Sequence, residues 1–293
     1  MKAVAKLIVA TLALVVLGAC SGIKIAYNQA DHIAAWTVND YFDLTPAQQA
    51  AFKSGFNRFH AWHRTTQLPD YIELLDMAHQ RVSAGVSQAD ADWLSNAFQT
   101  RLETMTRHTY QDAAQFLSQL SDDQITAARK EMDKRNRKFA RERGIGAAED
   151  EQRRIEAARH IERIEHWTGT LNATQEAKVR AMSRALPLIT EQRHRERLRR
   201  QDEFLALMQQ RKNLEAFAPR LRDWVLDWDK TRPAAYQGQY TRFMHERSRM
   251  YLAILEMLTP EQRQHVLSVI RRHQQNFREL AAQAQRHQSA QAQ

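Results

Sequence analysis

Residues 234–262 read AAYQGQYTRFMHERSRMYLAILEMLTPEQ, and their pattern decides the fold. Tyr236, Tyr240, Phe243, Met244, Met250, Tyr251, Ile254 and Leu255 recur three and four apart, the spacing that gathers side chains on one helix face. Nothing in the stretch alternates at two, as a half-buried strand would. The run ends at Leu258-Thr259-Pro260-Glu261-Gln262, which has the chemistry of a helix start. Thr259 suits the N-cap, where its side chain accepts from an otherwise unpaired backbone N–H, and Gln262 is placed to reach back to the N-cap amide. Pro260 has its φ already set for the first turn. Helix, cap and helix therefore follow one another here.

The same string recurs as Leu44-Thr45-Pro46-Ala47-Gln48, with looser versions at Leu120-Ser121-Asp122-Asp123-Gln124 and Leu171-Asn172-Ala173-Thr174-Gln175. The intervals follow no fixed period, so a solenoid is excluded. Helical spacing continues throughout, and 8 Gly and 6 Pro among 293 residues leave few of the turns that a sheet protein needs. Helices are expected over 24–41, 45–65, 69–83, 87–118, 121–143, 147–167, 172–212 (kinked at Pro187), 214–228, 234–257 and 260–280. The fold class is all-α, with about ten helices in an extended multi-helix bundle and no β-sheet. Residues 281–293 (AAQAQRHQSAQAQ) lack large apolar anchors and are expected to be a disordered tail.

Ahead of the helices, Lys2 and Lys6 flank the start of an uncharged apolar run over 7–17, too short to span a bilayer as a helix. It ends at Leu17-Gly18-Ala19-Cys20, which resembles the lipobox of bacterial lipoproteins. The resemblance implies removal of a signal peptide over 1–19 and acylation of Cys20, the chain's one cysteine; several acyl chains on one residue give stable anchoring. Ser21 stands where lipoproteins retained in the inner membrane typically carry Asp. The expected location is therefore the periplasmic face of the outer membrane, lipid-anchored.

Charge is uneven. The chain carries 43 Lys/Arg and 34 Asp/Glu, net +9. Residues 20–125 hold 7 basic and 12 acidic side chains, so the excess of cations lies downstream. The expected division is an acidic helical part over 20–143 and a basic part over 144–280, continuous with the first, meeting at Gly144-Ile145-Gly146. Two stretches concentrate the cations, 129–143 and 193–200. Arg135, Lys138, Arg193, Arg197 and Arg200 are the candidate face for an anionic or unfolded protein partner. Arg193, Arg197 and Arg200 share one helix face. A lipoprotein address argues against nucleic acid.

Reaction chemistry has little footing. His60 and His63, or His160 and His166 with Glu162 and Glu165, have helical ligand spacing but do not complete a metal site. No phosphate loop, Gly-x-Ser-x-Gly elbow or cysteine nucleophile occurs. No metal, cofactor or enzymatic activity is expected, and a hydrolase working through an acid pair is the competing class. Asp40 and Asp43 precede the Thr45 cap, where negative charge favours a helix start. Phe52, Phe56, Phe59 and His63 seam one helix; Trp224 and Trp228, with Trp93 and Trp167, are candidates for lining a groove.

The Leu-Thr-x-x-Gln strings at 44–48 and 258–262 resemble those of the LTxxQ family of periplasmic chaperones and stress modulators. That resemblance implies a small all-α protein that cradles unfolded clients without ATP, although this chain is about twice as long as a typical member. A second resemblance rests on the lipobox followed by Ala26-Tyr27-Asn28-Gln29-Ala30-Asp31, Asp40-Tyr41-Phe42-Asp43-Leu44-Thr45, Trp62-His63-Arg64 and Leu68-Pro69-Asp70-Tyr71. These are similar to a family of uncharacterised proteobacterial lipoproteins with no assigned activity. The resulting expectation is a non-catalytic periplasmic lipoprotein that binds or scaffolds at the envelope through a basic helical face.

Overall fold

The computed structural model describes residues 23–291; Leu17, Gly18, Ala19, Cys20 and Ser21 lie outside the described residues. Residues 23–28 are helical, and eleven α-helices follow in an all-α multi-helix bundle, with no strand among the described residues. They are α1 (Ala30–Phe42), α2 (Pro46–Trp62), α3 (Leu68–Ala84), α4 (Gln88–Ser118), α5 (Asp122–Arg143), α6 (Glu149–Thr168), α7 (Ala173–Ala185), α8 (Thr190–Met208), α9 (Leu214–Leu226), α10 (Ala234–Glu256) and α11 (Pro260–Gln291).

Three departures from the sequence reading have local causes. Between α2 and α3 the chain does not break; a π-helical turn, His63–Gln67, joins them. Pro69 has no N–H to donate and its ring would crowd the preceding turn. The wider turn makes room, with Leu68 N–H bonding to His63 O. The Thr65 and Thr66 hydroxyls donate to the Trp62 carbonyl. The single helix expected over 172–212 is two, because Leu186, just before Pro187, takes an extended ψ of 149° that ends α7. The tail expected to be disordered instead continues α11 to Gln291. Ala and Gln are good helix formers, and Ala284 is buried, so a small side chain anchors a segment that seemed to have none.

All four capping boxes form, and they form in pairs. Gln48 and Gln124 each accept from their own N-cap amide. Their side-chain amides also bond to each other, at 3.0 and 2.7 Å. Gln48 donates further to Gln119 O and Gln124 to Asp43 O, the carbonyl just ahead of each partner leucine. Gln175 and Gln262 repeat every element: own N-cap amides, mutual bonds of 2.7 and 3.0 Å, and the carbonyls of Met257 and Thr170. The chain is thus two quasi-equivalent halves. In each, two cap-led helices start back to back, α2 with α5 and α7 with α11.

The helices between the paired caps are exchanged. In the first half α3 packs along α11 of the second, where Leu75 and Val82 join the core of Val179, Tyr236, Phe243, Ile254 and Ile270. In the second half α8 and α9 pack on α4 and α5 of the first; Leu205, Met208, Phe217 and Leu221 complete a core with Phe42, Ala114, Leu120 and Ile125. Each core therefore draws on both sides of the Gly144–Gly146 turn. Arg211, buried, donates to Leu120 O and pairs with Asp122, tying α8 to the first-half caps.

Candidate functional site

The two halves differ where α2 meets its neighbour. Of the 17 residues of α2 none is buried, although Phe52, Phe56 and Phe59 lie on one face at helical spacing. They look across a cleft of about 1000 Å³ toward Met105, Thr109 and Phe116 of α4. The cap pair holds α2 at its start and the π turn at its end, while too few side chains cross between α2 and α4 to fill the space. Aromatic contacts bound it. Phe52 meets Phe116 edge-on at 5.4 Å near the caps, and Trp62 stacks on His108 at 3.7 Å at the far end. Arg58 pairs with Asp112 at 2.9 Å across the opening. Asp112 is the one carboxylate among the lining residues, and that pairing commits it. The cleft is suited to holding apolar matter by contact and offers no acid pair for proton transfer.

The apolar track continues outside the cleft. Leu94, Phe98 and Leu102 are 38, 63 and 42 % exposed. Steps of three, four and seven residues place them on the same α4 face as Met105, Thr109 and Phe116. From Leu94 to Phe116 that face runs about 33 Å at a rise of 1.5 Å per residue.

The residues expected to meet an anionic partner fall into several environments. Arg135 bonds to Glu131 at 2.8 Å, approaches Asp40 at 3.5 Å and covers the Tyr41 ring. Lys138 is exposed, 3.8 Å from Glu142. Arg197 donates to Asn136 Oδ1 at 2.7 Å across α5 and α8. Arg200 turns to α9, stacking on Trp224 and donating to its carbonyl at 2.6 Å. Arg193, on the same helix, points elsewhere, toward the buried His160 of α6. The tryptophans do not form one groove: Trp93, Trp224 and Trp228 lie beneath Arg81, Arg200 and Arg232 respectively, and Trp167 sits beside His273.

Two polar arrangements escaped the sequence reading because they join residues far apart in the chain. Tyr27 and His63 Nδ1 are 2.7 Å apart. Burial pushes the Tyr27 phenol up to about 12 and the His63 imidazole down to about 4. The phenol therefore keeps its proton and donates to a neutral ring. His160 Nδ1 is 2.6 Å from Ser183 Oγ, both buried, and burial brings His160 down to about 4. The space beside this pair is about 20 Å³, room for one water and no substrate. Among the described residues no cluster of three or more His, Cys, Asp or Glu could hold a metal, and no helix is long and apolar enough to cross a membrane.

An all-α bundle with an open aromatic cleft is the class of protein that fold and site define. The sequence model of a family described as a family of unknown function, DUF6279, matches residues 40–237, well over half of the chain, and the protein belongs to that family. No curated protein and no solved structure matches it.

Proposed function

We propose that this protein is a non-catalytic envelope lipoprotein, held through Cys20 at the periplasmic face of the outer membrane, that grips apolar segments of partly folded proteins along the α2–α4 track. The observation that carries this reading is the aromatic cleft itself, about 1000 Å³ with a Phe52, Phe56 and Phe59 wall on a helix with no buried residue. An unfilled apolar face beside a rigid frame favours a partner's apolar side chains over water at about 25 cal/mol per Å² buried. The paired Leu-Thr-x-x-Gln caps are consistent with an ATP-independent chaperone role like that of the LTxxQ family. The Cys20 lipobox supports the anchor. Engagement of Arg135, Arg197 and Arg200 inside the molecule shifts the weight of client binding from a basic face to the aromatic one.

The test is suppression of a denatured client's aggregation by soluble residues 21–293, at low and high salt, with Phe56→Asp and Phe59→Asp beside the wild type. Suppression that survives salt and is lost in both variants is the expected result. Suppression that vanishes with salt and persists in the variants would move the binding to the cations. Absence of labelled palmitate from wild type, or its incorporation into Cys20→Ala, would overturn the anchor independently.

A further inference from the structure

The first helical stretch, from Ile23 through α1, carries apolar residues outward as well as inward. On its inner side Tyr27 meets the rings of His60 and His63, and Val38, Tyr41 and Phe42 join the first-half core. On its outer side Ile25, Ile33 and Trp36 are 60, 51 and 67 % exposed, and Ile23 is exposed as well. The turn at Gln29 does not break the line. Gln29 N–H bonds to Ile25 O at 2.9 Å and Ile33 N–H to Gln29 O at 3.0 Å, the pattern of a continuing helix. Ile25, Gln29, Ile33 and Trp36 therefore follow one another at steps of four, four and three residues on one face. From Ile23 to Trp36 that face is about 20 Å long at a rise of 1.5 Å per residue.

Among the described residues nothing covers this face, and its chemistry narrows what can. Between Ile23 and Asn39 the one carboxylate is Asp31, whose side chain is mostly buried and lies 3.7 Å from His32. Lys24, on the flank, pairs with Glu279 at 2.6 Å. The outer face is left with isoleucines and a tryptophan, with Gln29 and His32 between them. Tryptophan, apolar in body and polar at its N–H, is enriched at the boundary between hydrocarbon and water. Position in the chain narrows the partner further. Ile23 comes three residues after Cys20, and three residues of chain span at most about 11 Å. With the acyl chains of Cys20 in a bilayer, the start of this helix is confined to the neighbourhood of the headgroup layer, whatever path those residues take.

We propose that the face of Ile23, Ile25, Ile33 and Trp36 docks flat on a phospholipid bilayer beside the acylated Cys20. The proposal rests on the Cys20 anchor proposed above and not on client binding. A helix lying in the interface sinks its apolar side ~5–10 Å, to the boundary of headgroups and acyl chains. Isoleucine and tryptophan side chains leaving water there contribute about 25 cal/mol per Å². Lipid chains alone hold the protein at the surface; a docked helix also fixes which side of the protein faces it. Val38 and Phe42, on the inner side of α1, line the α2–α4 cleft. Docking therefore sets that cleft one helix diameter, ~10 Å, from the lipid.

The experiment places the acylated mature chain in phosphatidylcholine vesicles that include a phosphatidylcholine with a nitroxide on its acyl chain, which quenches indoles at the bilayer boundary. Tryptophan fluorescence is compared between the wild type and Trp36→Phe, which share the other tryptophans as background. Quenching in the wild type that Trp36→Phe loses is the expected result. A second arm needs no anchor: co-sedimentation of residues 21–293, without acylation, with phosphatidylcholine vesicles. Ile25→Ser and Ile33→Ser, both at exposed positions, should leave the melting temperature unchanged and each weaken vesicle binding on the order of tenfold. Leu214→Ser, which removes an exposed apolar residue of α9, should leave vesicle binding as it is. Equal quenching in wild type and Trp36→Phe, with Cys20 acylated, would overturn the docked face and leave the anchor standing. Vesicle binding that the isoleucine variants weaken, in a chain that takes up no palmitate, would support the face and overturn the anchor alone. Self-association of residues 21–293 that the isoleucine variants abolish, with no vesicle binding, would overturn the proposal and assign the face to a second copy.

Discussion

The two halves of the molecule share one frame and fill it differently. Each begins two helices back to back from capping boxes whose glutamines bond to each other and to the carbonyl just ahead of the paired box. In the second half the first cap-led helix, α7, sends Val179 to 0 % exposure into a core with Tyr236, Phe243 and Ile254. In the first half its counterpart α2 buries nothing and turns its phenylalanines to an open cleft. The same local code thus fixes where helices start without fixing whether the space between them is filled. The cap pair carries the architecture, which leaves the faces beyond it free to be core or site.

The largest effect that would break the comparison is a carboxylate placed on each counterpart helix. Val179→Asp buries a charge with no partner and should cost more than about 4 kcal/mol in denaturant unfolding. Phe56→Asp, in the open half, should cost no more than about 1 kcal/mol while abolishing client binding. Similar losses from the two would mean that α2 is as much core as α7.

Acid should weaken the second half next most. His160 is held neutral with a value of about 4, below the ordinary 6.5, so in the folded state it binds fewer protons than the unfolded chain across that window. Stability should therefore be full above pH 6.5 and fall as the pH drops toward 4, by about 3 kcal/mol for this residue. His63, with Tyr27 donating to it, loses stability in the same direction and window. A His160→Asn variant whose pH-dependent melting matched the wild type would show that this ring is not the titrating group.

The caps themselves sharpen the comparison at a smaller scale. Gln175 is 5 % exposed, and Gln175→Ala orphans the Gln262 amide and the Met257 carbonyl, at a cost of about 2 kcal/mol. Gln48, half-buried and closer to water, should cost about 1 kcal/mol on the same change. Equal costs in chemical denaturation would indicate that the two pairs are equally enclosed.

Much of the frame was legible beforehand. Apolar spacing located the helices, and Thr45, Ser121, Asn172 and Thr259 were readable as N-caps because capping chemistry is local. That Gln48 would find Gln124, and Gln175 would find Gln262, was not readable. The intervals between boxes are irregular, and a side-chain amide carries no mark of a distant partner. Alanine hid the end of α11, since a small residue such as Ala284 is an anchor only when something packs on it. The phenylalanine seam of α2 was visible, but a seam facing a core and a seam facing a cleft have the same spacing. Of the arginines, Arg193 lines the small cavity beside His160, whereas Arg197 and Arg200 are spent on Asn136 and Trp224; sequence shows the charge and not its neighbours.

Hydrogen exchange on α2 and α7, with and without a soluble peptide rich in apolar residues, tests the central claim most directly. An open α2 should exchange faster than α7 in the free protein and become protected when the peptide is added, with α7 unchanged. Protection of α2 equal to that of α7 in the free protein, with no change on adding the peptide, would contradict the reading of the cleft as a binding site.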